Sequence, residues 1–182
     1  MSEFITLWKF RVRDFFARIV AIMCTINCPC QYILAVSTDH RALALEVKFI
    51  GTEDSDFEKL MSMTIFGGAR DMPTAGDFLL TRIYEAATQL ANFPSRKAAI
   101  IVIDDFVAWI DFGAALTFGH VDFSNPRLQS TNAAWLEYLE KLKKTYPNIE
   151  SDLGSTILSL DEIRIFRLIA DETLKEEKVV NR

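Results

Sequence analysis

Apolar residues recur along this chain in three distinct rhythms. The first is an unbroken run: Ala99 to Ile103 are all apolar, and Ile100 to Ile103 are all Ile or Val. A strand without alternation has both faces covered, so residues 98–104 read as the central strand of a sheet. The second rhythm is strict alternation. Leu43, Leu45, Val47 and Phe49 take one face, while Ala44, Glu46 and Lys48 take the other. Tyr32 to Val36 reads as a preceding strand, and Ser37-Thr38-Asp39-His40 between them has turn composition. Residues 32–50 therefore read as a hairpin. The third rhythm is the helical step. Leu79, Leu80, Ile83, Ala87 and Leu90 predict a helix over 75–92, opened by Thr74 and Asp77 at capping-box spacing and closed by Pro94. Ile5, Trp8, Val12, Phe15, Ile19 and Ile22 fall on one helical stripe and predict an N-terminal helix over 3–23, with a short strand at 6–12 as the alternative.

The remaining segments are less regular. Leu60 to Phe66 reads as a third strand ended by Gly67-Gly68. Phe106 to Phe123 is aromatic and alternating, with Gly113 and Gly119 as turn points, and predicts one or two further strands, a helix at 105–112 being the alternative. Ser130 begins a helix to Tyr146 whose exposed side carries the pairs Glu137/Lys141 and Glu140/Lys144. Ser159 and Glu162 have capping-box spacing and predict a last helix to about Glu176, followed by a frayed KVVNR end. The expected fold class is α+β: a mixed β-sheet with helices packed on it and two C-terminal helices. A length of 182 residues suits a single domain, with 127–182 readable as a helical C-terminal extension.

Composition narrows the class. Half of the residues are hydrophobic and 14 are Phe, enough for a real core and too many for a disordered chain. A net charge of −5 gives no general attraction to nucleic acid or anionic membrane. Cys24, Cys28 and Cys30 are odd in number and closely spaced, unlike a secreted disulfide framework. No apolar stretch reaches the length of a membrane span, and Lys9, Arg11, Arg13 and Arg18 interrupt what would be a leader. A cytoplasmic setting is the expectation.

Asp39 followed by Glu46-Val47-Lys48 gives an acid, a spacer, then Glu-apolar-Lys on a strand. This arrangement resembles the PD-(D/E)xK nuclease superfamily, and the predicted order helix, three strands, helix, strand over roughly residues 4–105 is similar to that superfamily's core. The resemblance implies that the two carboxylates bind Mg²⁺ and that the lysine steadies the attacking water or the phosphate. Hairpin geometry pulls the other way. Two ligands of one Mg²⁺ need oxygens within roughly 4 Å, and an Asp39 at the hairpin tip stands up to roughly 23 Å along the strand from Glu46. The plain reading of Glu46 and Lys48 is a solvated pair on the outer face of the hairpin. Asp104 and Asp105, with Asp111, His120 and Asp122, could form a metal cluster or could simply end a strand and cap a helix. The chain has no GxxxxGK[ST] loop to cradle a phosphate. Cys24, Cys28, Cys30 and His40 match none of the usual zinc spacings.

Three function classes follow. The leading one is a non-catalytic protein-binding module of inhibitor, immunity or adaptor type, with a protein partner and no cofactor. In it Trp109, Phe112, Phe118 and Phe123 act as anchors, while Glu53, Asp54, Asp56 and Glu58 steer a basic partner. The second is an Mg²⁺-dependent nuclease using Asp39, Glu46 and Lys48. The third is a peripheral membrane or nucleic-acid binder working through basic residues 9–18.

Overall fold

The structure is a computed structural model that describes residues 42–63, 71–170 and 173–182, together with the backbone of 33–36. The predicted N-terminal helix, the three cysteines, Asp39 and His40 lie outside the described residues. Five strands, β1 (Ile33–Val36), β2 (Ala42–Ile50), β3 (Arg96–Ile103), β4 (Glu162–Leu168) and β5 (Leu174–Asn181), form one sheet in chain order. β2, β3 and β4 run parallel, and β1 and β5 are antiparallel to their neighbours at the two edges. Helices α1 (Ser55–Met63) and α2 (Met72–Gln89) connect β2 to β3, and α3 (Phe106–Thr117), α4 (Ala133–Leu142) and α5 (Ile149–Leu158) connect β3 to β4. This is the mixed sheet with helices expected of an α+β chain.

The main core lies on one side of the sheet. Ala44, Ile50, Ala99, Ile101, Ile103, Ile163 and Ile165 form its floor, and residues from all five helices close over it. The opposite face groups Leu43, Leu45, Ala98, Ile100, Val102 and Phe166. Ala98 to Ile103 are buried on both sides, which is why that run lacks alternation. The hairpin reading holds as well: β1 and β2 are paired antiparallel and close at Val36 opposite Ala42.

Three expectations are corrected. Where a third strand was expected near 60–66, residues 60–63 are the end of α1 (Ser55–Met63), and 64–66 lie outside the described residues. Phe57, Leu60 and Met61 are all buried, and their three- and four-residue spacing makes a helical stripe. The three-strand order that the nuclease resemblance implied is accordingly broken after β2. The further strands at 106–123 are replaced by α3, whose inward residues Ala108, Asp111, Phe112 and Ala115 recur at helical steps. The last helix to Glu176 is replaced by β4 and β5. Ile163 and Ile165 reach the main core on either side of Arg164, and Phe166 is buried on the opposite face, as a strand inside a sheet allows. Ser159 ends α5 instead of opening a helix, its Oγ donating to the carbonyl of Thr156 at 2.7 Å. The KVVNR end is part of β5, and Arg182 donates to the carbonyls of Ile157 and Phe123.

α2 is capped one turn earlier than its sequence suggested. Asp71 is the N-cap, and Thr74 Oγ1 donates to its carboxylate at 3.0 Å. Asp77 is free of the capping role and does something else: its carboxylate accepts the backbone N–H of Ser130 at 2.7 Å and of Gln129 at 2.9 Å. Those bonds tie the irregular segment between α3 and α4 to α2, and Thr74 Oγ1 meets Ser130 Oγ at 2.7 Å in the same contact.

Candidate functional site

The C-terminal end of β3 sets where α3 begins. Asp104 N–H donates to the carbonyl of Ile50 at 2.8 Å, continuing the strand pairing by one step. Asp105 then turns the chain with φ 72° and ψ 134°, a positive-φ conformation outside the left-handed helical well that residues other than glycine rarely adopt. Its Oδ1 accepts from Val107 N–H at 2.6 Å and caps the helix. Gly119, with φ 75°, stops the helix at the other end.

Between those ends α3 is held firmly from inside. The Phe112 ring packs 5.4 Å from Phe57 and 6.3 Å from Phe78. The chain after α3 runs so close to α2 that a Cβ on Gly76 would come within 2.9 Å of the His120 carbonyl. Among the described residues nothing covers the outward face of α3. Phe106 is 67% exposed and Phe118 71%, with Val107 and Ile110 each about half exposed. The only ionisable residue of the helix, Asp111, is buried, so this exposed face carries no charge. A contiguous uncharged patch of this kind marks an interaction surface more often than plain surface.

A groove of about 630 Å³ adjoins the patch. Trp109, Ile110 and Gly113 of α3 form one wall, and Arg167 of β4 with Glu177 and Lys178 of β5 form the other. The Arg167 guanidinium lies over the Trp109 ring, 5.6 Å from its centroid, and its Nε is 3.2 Å from Glu177 Oε1. The arrangement offers aromatic and aliphatic walls with a few fixed charges along one rim.

The sequence-predicted contact residues divide. Trp109 and Phe118 belong to this surface, whereas Phe112 and Phe123 are buried in the core and serve packing. Asp54 is structural too. Its Oδ1 accepts from the N–H groups of Asp56 and Phe57, and its Oδ2 meets Arg82 at 2.7 Å. Glu53, Asp56 and Glu58 are exposed around the start of α1, not on α3. Sequence reasoning missed Phe106, Val107, Ile110 and Arg167. The nearest signal was a short segment apolar on every side between Asp105 and Gly119, but a helix apolar all round is ordinarily buried, so it did not point to an exposed face.

Glu46 and Lys48 are not a solvated outer pair. They point to the helix-covered side with Ala44 and Ile50, and Glu46 is only 4% exposed. Lys48 Nζ lies 3.1 Å from Glu46 Oε1 and donates to Gln89 Oε1 of α2 at 2.8 Å. Burial raises the Glu46 carboxyl above its ordinary range, and the nearby lysine pulls it part of the way back. Asp39 lies outside the described residues. Glu46 itself stands four positions along β2 from the hairpin closure at Ala42, about 13 Å. Among the described residues no group of three or more His, Cys, Asp or Glu is arranged to hold a metal ion. Asp104 and Asp105 serve the turn into α3, and Asp122 accepts from the N–H groups of Ser124 and Asn125. Among the described residues no helix is long and apolar enough to cross a membrane.

Comparison of the chain with protein families, with curated proteins and with solved structures found no match.

Proposed function

We propose that this chain is a non-catalytic protein-binding module, of inhibitor, immunity or adaptor type, whose partner docks on the outer face of α3 and the groove beside it. The observation that carries the reading is the uncharged exposed stripe of Phe106, Val107, Ile110 and Phe118 on a helix anchored from beneath by Phe112. Aromatic side chains beside a walled groove are the usual anchors of a protein interface, and an apolar helix face is the common partner of such a groove. The test is crosslinking capture from the source cells with wild-type protein and an Ile110→Asp/Phe118→Ser variant as baits. Both positions are solvent-exposed, so the variant should keep its stability. Crosslinks that start from α3 in the wild type and vanish in the variant are expected. Capture indifferent to the variant would overturn the reading.

A second reading keeps the nuclease class, on the observation that a half-buried Lys48 lies 3.1 Å from the buried Glu46 on the helix-covered side of the sheet. It requires a second carboxylate from outside the described residues, with Asp39 the named candidate. Mg²⁺- or Mn²⁺-dependent cleavage of nucleic acid lost in Glu46→Ala would support it; no cleavage by the wild-type protein would remove it.

A further inference from the structure

Independently of the α3 surface, we propose that residues 3–23 of this chain lie as a helix across the second face of the sheet, with Ile5, Trp8, Val12, Phe15, Ile19 and Ile22 turned onto it. All five described helices close over the other face. The cluster on the second face draws only on strand residues, yet Leu45 is 1% exposed and Ile100 4%. Parallel strands such as β2, β3 and β4 need both faces covered. With no described helix over this face, its cover comes from chain outside the described residues.

The outline of the buried area gives that cover its shape. It runs obliquely from Leu43 and Leu45 early in β2, over Ala98, Ile100 and Val102, to Phe166 late in β4. Val47 and Phe49 share this face but lie off the diagonal, and they are 37% and 52% exposed. Leu43 pairs with Arg96 and Phe166 with Val102, so the diagonal is about 22 Å long at ordinary strand rise and spacing. A single helix is about 10–12 Å across, and residues 3–23 would make one about 30 Å long, which fits a narrow oblique strip of that length.

The other undescribed segments do not fit. Residues 37–41 join β1 to β2, residues 171–172 join β4 to β5, and residues 64–70 join α1 to α2 of the opposite layer. The stretch before β1 enters at the right place, because Ile33 stands opposite Leu45 at one end of the buried strip. Residues 24–32 can span up to about 30 Å, enough for the helix to run in either direction. The arrangement uses the apolar stripe inside the molecule. It leaves Lys9, Arg11, Arg13 and Arg18 on the flanks and back of the helix, where their charged ends reach water. A membrane then has no free apolar stripe to take up.

Photo-crosslinking of the full chain tests this. Trp8→benzoylphenylalanine and Phe15→benzoylphenylalanine, each alone, replace one aromatic by another on the stripe; Arg13→benzoylphenylalanine puts the probe on the back. Both stripe probes should join to Leu45, Ile100 or Phe166 or their neighbours on that face, and the Arg13 probe should lose those products. Mixing isotope-light with isotope-heavy protein should give only like-with-like pairs. Vesicles of phosphatidylcholine and phosphatidylserine should leave the stripe products unchanged. Light–heavy pairs would put a second copy on the face, and lipid adducts replacing the sheet products would give the stripe to the membrane. Either result overturns the proposal, as do stripe probes that reach only the helical layer or nothing.

Discussion

Asp77 sits on α2 with no solvent contact, and its carboxylate holds two backbone N–H groups of the segment leading into α4. Burial pushes its pKa up to about 6, against an ordinary value of 3.8. An acid raised in the folded state binds its proton more tightly there than in the unfolded chain. Its contribution to stability is therefore fully present below about pH 4 and lost as pH rises through about 6. The unfolding free energy of the wild type in urea should be higher at pH 5 than at pH 7, by about 1 kcal/mol from this group. Asp77→Asn should remove that part of the slope, whatever it does to absolute stability. The phenylalanines of α3 give a second test at the same scale. Phe112→Ala empties the contact with Phe57 and Phe78 and should cost about 3–5 kcal/mol. Phe118→Ala, at a side chain mostly in water, should stay within about 0.5 kcal/mol. Composition alone gave these two residues the same role, because one aromatic in a run says nothing about which way it points.

Elements were legible where one rhythm dominated. α2 and β3 were read from their apolar positions to within a few residues, and the hairpin of β1 and β2 from its turn. The failures have a common cause. α3 is apolar on both its inner and its outer face, so its helical period is hidden and its aromatics mimic alternation. β4 and β5 carry charged residues at spacings a helix also allows, and only pairing with β3 decides between the two. Gly76 shows the same dominance of contact over propensity. Glycine to alanine inside a helix ordinarily gains about 1 kcal/mol. In α2 the added Cβ would meet the His120 carbonyl at 2.9 Å and Val121 Cγ2 at 3.2 Å. Gly76→Ala should therefore lose about 1–3 kcal/mol, read as a lower urea midpoint.

Across the whole molecule, the architecture follows from two crossovers taken in the same sense, each laying its helices on one side of β2, β3 and β4. The site was less legible than the fold. Its residues come from α3, β4 and β5, and the last two are far from the first in sequence. No local pattern links Trp109 to Arg167, because the link is made by the sheet. The long crossovers also set the pace of folding. Leu43 must find Arg96, and Ala98 must find Glu162, each more than about fifty residues away. Chains that depend on such distant pairings take milliseconds to seconds to assemble. Until β4 arrives, the isoleucine-rich flank of β3 is open to strands of other molecules. Crowded refolding should thus lose material to aggregates that dilute refolding avoids.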